Sequence, residues 1–257
     1  MISFYAPPKY HVMYDDRLKM PKLNESDWDD LPSGAKKLMS KTKWFWRGMQ
    51  KVDKSYPGSY RKFIQSYAAC STFADASVKR LLDGLKRTPF AANTIIILWS
   101  DHGFHLGEKE HLEKFALWEK ANHIPFIIVD PREKNTHGKV CSQPIDMTTI
   151  FPTLIDLCAL PKYEALHGKS AMELVKNPER EWKEPAFMTY GYKNHALRSK
   201  RWRYIRYADG SEELYDHESD PNEWLNLASL PEHREIIAEF RKSIPQDNAK
   251  AFRNISH

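Results

Sequence analysis

The chain has no long apolar run. No stretch approaches the roughly 18–20 residues needed to cross a bilayer as a helix, so no membrane partner is expected. Cysteine is scarce: Cys70, Cys141 and Cys158 are the only three in 257 residues. An odd number without metal-ligand spacing argues against a disulfide framework and against a structural zinc site. The opening MISFYAPPKYH has neither a basic leader nor an apolar core, so it does not read as a signal peptide. There is no internal repeat, no low-complexity tract and no nucleic-acid motif. What remains is an ordinary globular composition, 41% hydrophobic and 28% charged, with a net charge of +5. A chain of this length can bury a real core, as one large domain or two small ones.

One basic stretch stands out. Lys36, Lys37, Lys41, Lys43, Arg47, Lys51 and Lys54 are interleaved with Trp44, Phe45 and Trp46. A solvated basic surface with an aromatic anchor is the simplest reading. Attraction of a polyanion such as a sulfated glycan is a second. Nucleic-acid binding ranks last, because no motif accompanies the charge.

Apolar and small residues at Tyr60, Phe63, Ile64, Tyr67, Ala74, Val78, Leu81, Leu82 and Leu85 give one helical face over 59–87. Thr88-Pro89 ends it. The run Ile95–Trp99 reads as a strand buried on both faces, as in a parallel sheet. A second such strand is predicted at Pro125–Val129, and a helix at Thr148–Cys158 with Pro152 in its first turn. Residues 1–35 read as an extended entry. Beyond a soft boundary near residue 180 the pattern changes. Short strands are predicted at Ala186–Tyr190, Ala196–Arg198, Trp202–Tyr207 and Glu213–Tyr215, with a turn at Asp209-Gly210 and a final helix over Glu232–Lys242. The expected class is α/β over 1–180, followed by a small antiparallel α+β subdomain over 181–257.

Chemistry concentrates in 94–114. The strand ends at Ser100-Asp101-His102-Gly103, and ligands in open α/β sheets bind beyond the carboxyl ends of strands. Asp101 and His102 therefore fall where a metal or substrate site would be built. A loop with Gly103 and Gly107 then leads to Lys114, a possible anion clamp. His105, His111 and His123 could line a pocket or be satisfied loop and core histidines. Glu108 and Glu119 read as structural ion-pair partners, and Met147, Trp99 and the aromatic residues of 202–207 as core.

The stretches SDHGFHLGE (100–108), Lys114 followed by FALWE (115–119), HIPFII (123–128), FYAPPKY (4–10) and RWRYIRYADGSEELYDHESDPNEW (201–224) together resemble the sulfatases. These belong to the alkaline-phosphatase-like superfamily, and the likeness is to the iduronate-2-sulfatase-like branch. The resemblance implies a partial sulfatase sheet flanked by helices. It matches Asp101 and His102 to two ligands of a single divalent cation, normally calcium. It matches Lys114 to the lysine that binds a sulfate oxygen and neutralises charge on the leaving oxygen. Calcium prefers about six to eight oxygen ligands, so Asp101 suits it better than His102, and the two residues alone would not have suggested that ion. Lys114, His111 and His123 stand as candidate contacts to a sulfated saccharide or other sulfate ester.

Sulfatases attack with a formylglycine made from the Cys or Ser of Cys/Ser-x-Pro-x-Arg, and none of Cys70, Cys141 or Cys158 sits in that motif. The upstream Asp-Asp metal pair and a Lys-Pro-His element are also missing. The likeness therefore covers the C-terminal portion of such an enzyme. Its N-terminal half becomes an expected partner, and the 257 residues alone are expected to be inactive. The alternatives are a phosphate or phosphonate ester hydrolase of the same superfamily, or a non-catalytic fragment with a binding role. Full-length relatives are usually periplasmic, secreted or lysosomal, so the compartment stays open.

Overall fold

The computed structural model describes residues 4–40 and 42–249. Met1 to Ser3 and Lys41 of the basic stretch lie outside them. The entry segment is less extended than its composition predicts. Helical turn α1 (Pro8–His11) begins on a proline, whose fixed φ suits a first helical position. It packs on the long helix through Tyr10 against Phe73, 5.4 Å between rings. Helices α2 (Ser33–Met39), α3 (Lys43–Ser55) and α4 (Ser59–Lys86) follow; α4 is the helix predicted over 59–87.

Strand β1 (Ile96–Trp99), the short α5 (Glu119–Asn122) and β2 (Phe126–Val129) come next. β1 pairs antiparallel with β2, in the register Ile96↔Val129 to Trp99↔Phe126. The sequence suggested a parallel strand buried on both faces, and neither feature is found among the described residues. Trp99 is 45% exposed and Ile127 48%. An apolar run reports how much burial a strand calls for and carries no information on neighbour direction. Met147, expected in the core, is also exposed.

The remaining helices are α6 (Ile150–Leu157), α7 (Met172–Lys176) and α8 (Arg234–Lys242). Between α7 and α8 lies an antiparallel sheet in sequence order, β3 (Ala186–Thr189), β4 (His195–Arg198), β5 (Trp202–Arg206) and β6 (Glu212–Asp216). Its β5–β6 turn holds Gly210 at φ +84°, a left-handed conformation that glycine adopts without a Cβ penalty.

This sheet has two covered faces. Leu197, Tyr204 and Leu214 pack on Ile237, Phe240 and Ile244. On the other face Ala196, Ile205, Tyr207 and Tyr215 share a cluster with Leu31, Ala35, Met39 and Leu117–Trp118. The C-terminal sheet thus packs against α2 and residues 116–118. The approach of α2 is close: a Cβ on Gly34 would lie 2.3 Å from the Tyr207 Cβ.

Candidate functional site

Past β1 one further bond keeps the β1–β2 register, and the next goes to α5. Ser100 N–H donates to the Pro125 carbonyl at 3.3 Å and Gly103 N–H to that of Ala121 at 2.8 Å. Gly103 is needed here for contact, because a Cβ would stand 2.2 Å from the Lys120 carbonyl oxygen.

At this strand end Asp101, His102 and Lys114 come together. The His102 Nδ1 lies 2.7 Å from the Gly103 carbonyl. A carbonyl only accepts, so Nδ1 donates to it, and an ammonium only donates, so Nε2 is the acceptor towards Lys114. That Nε2 is 3.0 Å from the Lys114 Nζ and 3.5 Å from Asp101 Oδ2. The Asp101 side chain is 80% exposed. A carboxylate, an imidazole lone pair and an ammonium therefore face one open region. Asp101 offers the hard oxygen a calcium ion favours and His102 a second donor, so the pair fits part of a divalent-cation site.

The loop between these residues is held from behind. Lys109 and Glu110 both have φ near the left-handed value, 51° and 50°, which costs a residue with a Cβ about 1–2 kcal/mol. Lys109 is 2% exposed. Its backbone N–H donates to Asp27 Oδ2 at 2.9 Å and its Nζ to Asp27 Oδ1 at 2.8 Å. The same Nζ reaches the Glu223 carbonyl oxygen. Burial still leaves the Asp27 carboxyl above its ordinary range, with Lys109 pulling the other way. Tyr60 adds a hydrogen bond to the Leu106 carbonyl at 2.6 Å. Glu108, expected to make an ion pair, instead accepts from the Leu106 N–H at 2.6 Å.

His111 takes the core reading of the two that the sequence left open. It is 1% exposed and His105 is fully buried. Their rings meet edge to face at 5.2 Å beside Trp118. The chain turns His111 inward at the end of the strained loop, away from any surface a saccharide could reach. Burial pushes its pKa down to about 4, and His105 is lowered by burial and by its neighbour. The unfolded chain therefore takes up protons that the folded chain refuses, and stability falls as pH drops from about 6.5 towards about 4. Lowering the pH from about 7 to about 5 should cost about 2 kcal/mol through His111 alone. Urea unfolding across that range checks this. In the His111→Gln chain the acid-side loss should be smaller by that amount.

His123 is placed differently, with a side chain 77% exposed and Nδ1 3.2 Å from Glu119 Oε1. Its hydrogen bond to Glu119 raises its pKa. Glu119 in turn belongs to a buried network. Arg203, 1% exposed, contacts Glu119 Oε2 and reaches Glu223 Oε1 at 2.6 Å. Arg198 Nε lies 3.2 Å from Glu119 and His217 Nε2 2.9 Å from Glu223. Burial alone would raise the Glu119 carboxyl. The His123 hydrogen bond and the charges of Arg203 and Arg198 outweigh it and hold Glu119 far below the usual carboxylate range. Glu119, His217 and Glu223 bring ligand atoms within 4.8 Å of one another. The Arg203 guanidinium already bridges both carboxylates, so an arginine fills the cation's role. Of this network sequence reading anticipated only Glu119. Nothing sets Arg203 or Lys109 apart from the other 37 basic residues among 39.

The sulfatase family model matches residues 9–159, and that of the N-sulphoglucosamine sulphohydrolase C-terminal region matches 107–250. A sulfatase of Formosa agariphila is 37% identical over 254 residues, covering 96% of this chain and 48% of the relative. A Delta 4,5-hexuronate-2-O-sulfatase of Bacteroides thetaiotaomicron is 25% identical over 228 residues, covering 84% and 46%. A solved phosphonate monoester hydrolase from Silicibacter pomeroyi superposes with a TM-score of 0.72 at 21% identity, covering 93% of this chain and 52% of its own. At that identity the likeness speaks for the fold, which is alkaline-phosphatase-like. The chain spans about half the length of the relatives it matches. With the family model matching more than half of its residues, the chain belongs to the sulfatase family.

Proposed function

We propose that these residues form the sulfate-gripping part of the active site of a sulfatase acting on sulfated saccharides, together with part of its metal site. The observation that carries this is the convergence of Asp101, His102 and Lys114 at the open end of β1, with Lys114 Nζ 3.0 Å from His102 Nε2. Lys114 binds a sulfate oxygen and neutralises charge on the leaving oxygen. Asp101 and His102 would hold a divalent cation, calcium by family, whose remaining ligands come from outside the Asp101–Lys114 segment. When bound, that ion supplies charge neutralisation for the sulfate. His123, exposed and backed by Glu119, is the weaker candidate for contact with an anionic group of the sugar. The nucleophile is supplied by a segment carrying Cys/Ser-x-Pro-x-Arg, a motif not found in these 257 residues.

The test is a comparison of three esters: an aryl sulfate, a 2-sulfated uronate disaccharide and an aryl phosphonate. Each is offered to the 257-residue chain and to the same chain joined to a nucleophile-bearing sulfatase half. The chain alone should give no turnover, and the joined protein should favour the sulfates. Turnover by the chain alone would sink the division of the site. Preference for the phosphonate would move the reading to the phosphonate hydrolases, with which the chain shares its fold.

A further inference from the structure

Helix α3 has one face that the site does not use. Trp44, Arg47, Lys51 and Lys54 follow one another at intervals of three and four residues, which puts them in a single stripe. All four are exposed, Trp44 by 66%. The helical rise makes the stripe about 15 Å long. Among the described residues none of the three cations has a carboxylate partner, since the ion pairs lie elsewhere. The helix's one acid, Asp53, is turned away and accepts the Tyr60 N–H at 2.8 Å. Nothing lies within 4 Å of a Cβ built on Gly48, beside the stripe.

The opposite side of α3 is occupied. Trp46 is buried against Tyr60, rings 5.5 Å apart, and would meet a Cβ on Gly107 at 3.0 Å. At the N-terminal end of the stripe, one turn before Arg47, Lys43 pairs with Glu110. The same helix therefore supports the 107–110 loop of the candidate site with one face and presents three unpaired cations and a tryptophan with the other.

We propose that the Trp44–Arg47–Lys51–Lys54 stripe is a docking surface for a sulfated glycan chain, holding sugar units beyond the one that enters the candidate site. The inference rests on the sulfated-saccharide reading above. Repeated sulfates and carboxylates complement a row of cations, and the indole offers an apolar face to a sugar ring. A single-stranded nucleic acid would call for successive stacking rings, and the stripe offers one. A membrane surface would call for an apolar face opposite the cations, and that face of α3 is buried in the protein.

The test is titration calorimetry of the 257-residue chain with a heparin hexasaccharide at low and physiological salt. Reversing the charges (R47E, K51E and K54E together) should weaken binding by at least about tenfold, since three cations become three anions. Trp44→Ala should weaken it by a smaller factor, and the melting temperature should not move in either variant. Equal affinity in the charge-reversed chain, or no binding by the original, would overturn the proposal. So would tighter binding of an oligo-dT strand or of phosphatidylserine vesicles through the same residues. Loss of hexasaccharide binding in Lys114→Ala but not in the stripe variant would place the glycan at the strand end. That result would overturn the stripe and leave the functional reading standing. Stripe binding without turnover by the joined protein would do the reverse.

Discussion

Replacing Arg203 with methionine is expected to cost about 3–5 kcal/mol of folding stability, the usual loss when a buried ion pair is left with one partner. Arg203 is 1% exposed and Glu223 2%, so the Glu223 carboxylate it serves cannot turn to water. Glu119 keeps Arg198 and His123. Glu223 keeps His217, which is charged only when protonated. The chain should relieve the strain by protonating Glu223, so the deficit should shrink as the pH is lowered. Urea unfolding near neutrality and again near pH 5 reads both effects. Adding Glu223→Gln to Arg203→Met should restore part of the loss, because an amide needs no counter-charge. A single substitution that moves the unfolding midpoint little would show that water or a shift of β5 solvates the pair.

The other large effect belongs to Lys114. In an active enzyme containing these residues, Lys114→Ala should lower kcat by roughly a hundredfold to a thousandfold, the range seen when one group facing developing negative charge is removed. The substitution should leave folding stability nearly unchanged, because the contacts of Lys114 Nζ are the His102 nitrogen and the Phe115 ring. Steady-state kinetics separates two roles. A fall in kcat assigns the ammonium to the leaving oxygen, whereas a rise in KM with kcat unchanged would confine it to holding the sulfate in the ground state.

Much of the fold could be read ahead because local signals carry it. The α4 stripe, the strands of 186–216 and the Asp209-Gly210 turn each announce themselves within a few residues. The strand end at Asp101-His102 was legible through the abrupt end of an apolar run, whereas Lys114 was joined to it through the sulfatase resemblance, and the three lie close together. What escaped was decided over distance. The antiparallel partner of β1 lies thirty residues away across α5. The inward turn of His111 depends on a left-handed backbone at Lys109 and Glu110, which no propensity of lysine or glutamate suggests. The burial of Lys109 depends on Asp27 and Glu223, from opposite ends of the chain.

That last contact has a genetic consequence. The Lys109 ammonium and amide tie an N-terminal carboxylate, the loop between the chemical residues and a C-terminal carbonyl into one knot. In a screen for lost activity, changes at Asp27 would be scored as defects of the candidate-site loop although Asp27 lies behind it. Suppressors of a Lys109 substitution should map to Asp27, where an apolar residue would remove the stranded charge, and would be missed by a search confined to the surroundings of Lys114.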